Sequence, residues 1–508
     1  MSLLGIDVGT SGCKAALYSL QGKMLASSYF EYNPQSPHEG WAQLDSVDIW
    51  GIVKTAIRSV ISAAHAEEIQ ALSVSSLAEA VVPVQADRHI LGPSILNFDL
   101  RGKEFLAELS SRMPDEYLYG INGNTLGNQY GLTKLKWIQK YQPELYDRTY
   151  KFLQWSEFIA YMLGADPVVD YSLANRTLLF DIHKGDWSDS LLEAAGIERA
   201  KLPVTAPSGT VIGTISPHIA SDLGLPPGVP IVSGAHDQCA NAVGCGVLDS
   251  DHTVYGMGTY HCITPVFFTP PDPSTMISLG LNTEHHAVPD RYVCFIYHLG
   301  GALVKWYRDT FASIEHHRAE AEGRSIYPTL FEEIPANPTP ILVLPHFAPS
   351  TTSNLIPDSA GLVAGLRLGT RRGEILKGII EGVAFYLKNL VDALPTTNIK
   401  INDFRAVGGG SRSDSWVQTC ADIFGLPFTR PVITEAGTLG AAIIAGAGSG
   451  IFKSYTEGVA AMVKLERTFE PDINKYERYQ VSYRYYQRME QSMTNFLREI
   501  SADTLHQE

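Results

Sequence analysis

Short apolar runs separated by glycine and polar turns open the chain, and their spacing shifts from strand-like to helix-like before residue 80. Residues 3–7 (Leu-Leu-Gly-Ile-Asp) and 14–18 (Lys-Ala-Ala-Leu-Tyr) read as two strands joined by a glycine turn. Gln21-Gly22-Lys23 is a second turn, and 24–30 returns as a third strand, so a hairpin meander precedes any helix. From 45 to 65 the period becomes helical. Ile49, Val53, Ile57, Val60 and Ile61 share one face, and Asp45 is placed to cap it. Residues 69–76 read as a buried strand, and strands followed by a helix and another strand predict an α/β unit.

A second set of strands begins after residue 229. Val229-Pro230-Ile231-Val232-Ser233-Gly234 runs into His236-Asp237, and residues 252–258 lead into Gly256-Met257-Gly258-Thr259. The opening segment and this one repeat a theme, a hairpin with a Gly/Thr turn and a nearby Asp, which predicts two related halves. A long helix is predicted over 371–394 and a charged, aromatic one over 473–500, while the proline-rich stretches 265–275 and 335–357 predict loops. At ~150 residues per domain, the 508 residues allow roughly three units or two large ones.

Composition narrows the function classes. Hydrophobic residues make up 45% and charged residues 18%, an ordinary globular balance. A formal net charge of −15 argues against a nucleic-acid partner, because binding phosphate backbones needs a basic surface. It leaves ATP open, since a phosphate site is made locally from backbone N–H groups and a metal ion. Six cysteines, at 13, 239, 245, 262, 294 and 420, form no Cys-x-x-Cys pair and have apolar or small neighbours, so buried thiols are predicted. A strand-like run begins at Leu3, leaving no room for a signal peptide, and no window of ~20 apolar residues suggests a membrane span. A cytoplasmic setting without a membrane partner is expected.

Five places carry candidate chemistry. In Asp7-Val8-Gly9-Thr10-Ser11-Gly12, backbone N–H groups and the Thr10 and Ser11 hydroxyls could cradle phosphate oxygens. Asp7 could hold Mg²⁺ through water, and Lys14 adds a positive charge. A plain hairpin turn accounts for the same residues. Gly256-Met257-Gly258-Thr259 has the same character in the second half, and two such loops fit a nucleotide's phosphate tail. In Gly234-Ala235-His236-Asp237-Gln238, Asp237 lies just past a buried strand, where α/β sheets place ligands, and is either a general base or a helix N-cap. His236 is read as packing, with no second ligand at metal spacing. Gly408-Gly409-Gly410-Ser411 follows an apolar strand and precedes a helix from about Asp414, so a flat ring could approach the backbone and an anionic group could face the helix start. The small-residue helix opening at Glu435-Ala436-Gly437-Thr438 reads mainly as packing. Glu79, Asp99 and Arg101 form the last set. Glu79, interrupting an apolar run, is either a surface residue or a hydroxyl-binding group, and paired carboxylates suit polyols because each accepts from adjacent hydroxyls.

In this order the pieces resemble the FGGY carbohydrate kinases, within the actin, Hsp70 and hexokinase superfamily. The resemblance runs from Leu3 to about residue 490. Gly5-Ile6-Asp7-Val8-Gly9-Thr10-Ser11-Gly12 looks like the family's first phosphate loop. Asn97-Phe98-Asp99-Leu100-Arg101 looks like its Trp-Asn-Asp-x-Arg segment. Lys134-Leu135-Lys136-Trp137 resembles one signature, with Gly131 where Ser, Thr or Pro is usual. Gly365-Leu366 through Glu381-Gly382 resembles the other, and Gly408-Gly409-Gly410-Ser411 looks like the adenosine loop.

The resemblance implies an α/β fold of two actin-like (ribonuclease H-like) ATPase domains, 1–245 and 246–508, with ATP and sugar meeting in an interdomain cleft. It implies Asp237 as general base and Asp7 organising Mg²⁺ with Asp237. Thr10, Ser11, Lys14, Gly258 and Thr259 would contact the phosphates, and Gly409, Gly410 and Ser411 the adenosine. Glu79, Asp99, Arg101, Asp237 and Gln238 would line the sugar. A homodimer is what the family suggests. Xylulose kinases usually carry Met-His where this chain has Ala78-Glu79, and glycerol kinases carry Arg-Glu. The expected reaction is phosphorylation of a ketopentose or short polyol, D-xylulose first, with erythritol, glycerol, ribulose or an autoinducer-type compound as alternatives. A non-kinase, actin-like ATPase switch is the other class.

Overall fold

The predicted meander is formed by β1 (Ser2–Val8), β2 (Gly12–Ser19) and β3 (Met24–Glu31), each antiparallel to its neighbour, in a computed structural model that describes residues 1–64, 68–347 and 360–505. β4 (Ile69–Ser76) adds parallel to β1, β6 (Pro230–His236) parallel to β4, and β5 (Val211–Thr214) antiparallel to β6, giving the order β5-β6-β4-β1-β2-β3. Lying between two neighbours, β1 is apolar on both faces, with Leu3, Leu4, Ile6 and Val8 fully buried. The helix Ser46–Ala64 buries Ile49, Trp50, Val53, Ala56, Ile57 and Val60 within one core cluster, and Asp45 Oδ1 accepts from the amides of Val47 and Asp48 as the capping expectation required. Residue 65, the end of the predicted helix, lies outside the described residues.

The chain divides into two units. The first comprises Met1–Asp249, Val266–Cys294 and Glu435–Lys464, and the second Ser250–Pro265, Phe295–Thr434 and Leu465–Glu508. In the second unit β7 (Thr253–Met257), β8 (Tyr260–Phe267) and β9 (Ile296–Leu299) form an antiparallel meander. β10 (Phe404–Val407) joins parallel to β7, β11 (Phe428–Pro431) parallel to β10, and β12 (Leu465–Phe469) antiparallel to β11. In spatial order and strand direction this repeats the first sheet, although the edge strand β5 precedes β6 in the chain whereas β12 follows β11, so the related halves predicted from two glycine turns share a common sheet plan. The long helix is Arg372–Ala393 and the C-terminal one Ile473–Leu505.

The proline-rich expectations need correction. Residues 265–267 belong to β8, and Pro273 begins the helix Pro273–Leu279, where proline is tolerated because its missing N–H would be unpaired there anyway. Asp272 caps that helix by accepting from the Thr275 amide. Within 335–357, Leu342–Leu344 is a strand, and 348–357 lie outside the described residues. All six cysteines are thiols and all but Cys262 are buried, as their neighbours predicted. Among the described residues no helix is long and apolar enough to cross a membrane.

The helix Ala436–Gly448 does pack as its small residues suggest. A Cβ on Gly5 of β1 would fall 1.9 Å from the Thr438 carbonyl oxygen, and one on Gly440 would fall 1.8 Å from that of Ala240. Only hydrogen at those positions lets backbones approach so closely.

Candidate active site

β1, β4 and β6 run parallel, so their C-terminal ends share one edge of the first sheet, where α/β proteins place ligands. Each brings a carboxylate to that edge. Asp7 is the penultimate residue of β1, Glu79 follows shortly after β4, and Asp237 directly follows β6 as the first residue of the helix Asp237–Gly244. His236, not Asp237, occupies the N-cap position of that helix. Burial, then the negative charge of Asp7, then that of Glu79 push the Asp237 carboxyl up to about 7, against a hydrogen bond from Gln238 Nε2 at 3.1 Å. Burial also raises Asp7, opposed by Ser75 Oγ donating to its Oδ1 at 2.5 Å and by the charge of Lys14. Lys14 itself pairs with Glu435. His236 is buried as predicted, its Nε2 3.2 Å from Asp237 Oδ1, and burial with the charge of Arg176 keeps the ring neutral.

Glu79 is neither on the surface nor free. Its side chain is 3% exposed, and its carboxylate pairs with Arg176, which donates through Nε at 2.6 Å and through Nη2. The second Glu79 oxygen accepts from Asn97 Nδ2 at 3.4 Å. Its backbone sits at φ 70°, a costly conformation for a residue with a Cβ, held by Gln154 Oε1 accepting from its amide at 3.0 Å. Arg176 reaches on to Glu284 Oε1 through Nη1 at 2.6 Å. Gly131, the departure from the family signature, packs here: its amide donates to the Arg176 carbonyl at 3.3 Å, and a Cβ on it would lie 3.3 Å from the Glu79 carbonyl oxygen.

Asp99 and Arg101 are buried together. Asp99 accepts from the amides of Ala42 and Arg101 and from Arg101 Nε and Nη2, while the guanidinium lies 4.0 Å from the Trp41 ring centroid and 5.1 Å from that of Trp137. Lys134, fully buried, donates its amine to the carbonyls of Asp99 (2.7 Å) and Arg101 (2.9 Å), and burial pushes that amine down to about 7. The signature lysine thus braces the loop that carries the pair.

The first glycine turn closes with the Gly9 amide donating to the Gly12 carbonyl at 2.9 Å, and Tyr32 Oη donates to the Gly9 carbonyl. Thr10 is partly exposed and Ser11 exposed at its tip. In the second unit the corresponding turn leaves Gly258 and Thr259 exposed, their carbonyls accepting from amides of the helix start at Gly301 and Ala302. β7 and β10 are adjacent and parallel, so the Gly408–Gly410 loop lies beside this turn. Its glycines differ. A Cβ on Gly410 would meet Met257 at 3.0 Å, whereas one on Gly409 would meet nothing within 4 Å. The Ser411 hydroxyl is turned inward to the Gly408 carbonyl at 2.7 Å.

Arg176 and Glu284 escaped the sequence reading. Arg176 is a lone charge in the otherwise buried stretch 172–180, which is a usable signal. Glu284 stands in the polar run Asn282–His286, where no periodicity marks it.

Models of the N- and C-terminal domains of the FGGY family of carbohydrate kinases match residues 2–244 and 271–449. Xylulose kinase of Escherichia coli (strain K12) is 27% identical over 497 residues, covering 96% of this chain and 99% of that one. Autoinducer-2 kinase of Escherichia coli (strain SMS-3-5 / SECEC) is 29% identical over 510 residues, covering 94% and 92%. The crystal structure of xylulose kinase from Rhodospirillum rubrum superposes with a TM-score of 0.86 at 25% identity, covering 98% of this chain and all of that one.

Proposed function

The chain belongs to the FGGY family of carbohydrate kinases, and from that premise we propose that it transfers the terminal phosphoryl group of ATP, with Mg²⁺, to a hydroxyl of a ketopentose or short polyol, D-xylulose first. The observation that carries this reading is the convergence of Asp7, Glu79 and Asp237 on one strand edge, with Asp237 raised to about 7. A base poised near neutrality can take the hydroxyl proton as the phosphoryl group arrives. Gln238 holds the carboxylate from one side, and Glu79 is the proposed acceptor for a neighbouring sugar hydroxyl. Asp99 and Arg101 are proposed to act on the sugar through the loop they brace.

The residues fit a divalent cation. The charge of Asp7 raises the Asp237 carboxyl, a repulsion a cation would relieve, and burial raises Asp7 itself. Among the described residues no three His, Cys, Asp or Glu side chains cluster for a metal. A cation there would therefore take one or two carboxylates and complete its shell with phosphate and water, the manner of Mg²⁺. When bound it supplies charge neutralisation of the transferring phosphoryl group. Thr10, Ser11 and Lys14 in the first unit, and Gly258 and Thr259 in the second, are the proposed phosphate contacts, with Gly409 at the adenosine and Gly410, packed on Met257, and Ser411, its hydroxyl given to the Gly408 carbonyl, shaping the loop that presents it. Of these glycines, Gly409 is the one left for a ligand. Gly409→Val is expected to raise the KM for ATP about tenfold while leaving Tm within about 2 °C of wild type, as steady-state kinetics and a thermal melt would show.

The direct test is ADP release with Mg·ATP against D-xylulose, L-xylulose, ribulose, erythritol, glycerol, gluconate and an autoinducer analogue. Turnover on one compound establishes the acceptor, and the autoinducer analogue is included because autoinducer-2 kinase is a relative at 29% identity. Sugar-independent ATP turnover would favour a switch-type ATPase instead. Glu79→Ala is expected to raise the KM for the true substrate about tenfold, ~1.4 kcal/mol, and an unchanged KM would remove Glu79 from the site.

A further inference from the structure

Beyond the acids already assigned, the first unit holds a buried chain of charge that the proposed chemistry does not use. Arg176, its side chain 14% exposed, lies between Glu79 and Glu284, with its guanidinium carbon 5.0 Å from the Tyr130 ring centroid. Its Nε and Nη2 go to Glu79 Oε1 and its Nη1 to Glu284 Oε1. Asn282 Nδ2 adds a bond to the same Glu284 oxygen at 2.5 Å, yet Glu284 Oε2 is buried with no hydrogen-bond partner among the described residues. Buried acceptors are ordinarily satisfied, so this oxygen calls for one more donor, a bound water or a hydroxyl, and keeps the cluster rich in acceptors.

We infer that Arg176 is a positioning residue, fixing Glu79 as a hydroxyl acceptor near Asp237, and that the Glu79–Arg176–Glu284 cluster selects an uncharged ketose or polyol over a sugar acid. This rests on the kinase reading proposed above. Arginine suits the task because its planar fork engages two carboxylates at once and stays charged. Without it, two buried acids would repel each other, and the strained Glu79 backbone would lose the partner that holds its side chain. With it, the cluster still carries two acids against one base. Of the charged groups around it, Asp237 and Asp7 are acids as well, the buried Lys134 amine is already given to the Asp99 and Arg101 carbonyls, His236 is held neutral, and Lys14 is paired with Glu435. A sugar carboxylate would enter a region of its own sign with the guanidinium already turned to the protein. Hydroxyls, which donate, meet acceptors.

The experiment pairs substrates and variants in the full-length enzyme. Xylitol and xylonate share a skeleton and differ in charge, and D-xylulose serves as the ketose probe. Wild type is expected to bind xylitol, by calorimetry, at least about tenfold more tightly than xylonate. Arg176→Met is expected to raise the sugar KM at least about tenfold while the ATP KM moves less than about twofold. Arg176→Lys keeps charge without the fork and should fall between. Glu79→Gln combined with Arg176→Met, which removes one orphaned acid, should recover part of the loss. A purely structural role would instead lower Tm and shift both KM values together. If Arg176→Met does not fold, Arg176→Lys carries the comparison. An unchanged sugar KM in a folded Arg176 variant would overturn the positioning role, and xylonate bound as well as xylitol would overturn the charge selectivity, while turnover of neutral sugars kept the kinase reading intact. Wild type inactive on every sugar would overturn the kinase reading itself and this inference with it.

Discussion

Asp237→Asn is expected to lower kcat by about 10³-fold, within the 10²–10⁴ that a positioned general base contributes. The sugar KM should move little, because asparagine keeps the shape and the contact with Gln238. In wild type, kcat/KM should fall as pH drops through about 7, where burial and the Asp7 charge place protonation of Asp237, and the asparagine variant should lose that limb. Stability should move the other way. The folded-state carboxyl is raised above its ordinary value of 3.8, so its stability contribution is fully present below that value and is lost as pH rises through about 7. At pH 8 the asparagine variant, with no charge to desolvate, is therefore expected to melt at a higher temperature than wild type while turning over almost nothing. A kcat within tenfold of wild type would remove Asp237 as the base.

Asp99→Ala is expected to cost about 3–5 kcal/mol of folding stability, the range for breaking a buried ion pair by removing one partner. The carboxylate accepts from the Ala42 amide at 2.5 Å, the Arg101 amide at 2.7 Å, Arg101 Nε at 3.0 Å and Arg101 Nη2 at 2.6 Å. Among the described residues, its loss leaves a guanidinium buried between Trp41 and Trp137 with only Gln43 Oε1 still accepting from it, and two amides without that acceptor. Urea unfolding would read the loss directly. Asp99→Asn with Arg101→Met removes both charges and should recover a good part of it, since the aromatic slot accepts an apolar chain. If Asp99→Ala keeps wild-type stability but raises the sugar KM, the pair belongs to the substrate and not to the loop.

Local patterns were readable where one element's own chemistry decides its form. Alternation, a capping Asp45 and glycine turns placed the meander, the helix Ser46–Ala64 and both phosphate-loop candidates, and the small residues after Glu435 announced close helix packing. The carboxylates Asp7, Glu79 and Asp237 were legible because each sits at or past the end of an apolar strand. What escaped depends on partners far along the chain. Nothing near Glu79 signals Arg176, 97 positions on, or that Arg176 meets Glu284 after another 108. Proline misled at Pro273 because a helix's first turn tolerates it as readily as a loop does.

The return of residues 435–464 to the first unit bears on how the protein is made. Gly5 and Tyr18, on strands formed by the earliest residues, complete their packing only against Thr438, 420 positions beyond Tyr18. At ~5–20 residues per second of synthesis that partner emerges on the order of a minute later. Throughout translation, then, the first sheet carries an apolar face that its own neighbours cannot cover. A message truncated anywhere before codon 436 should therefore yield an aggregating fragment and not a smaller working unit.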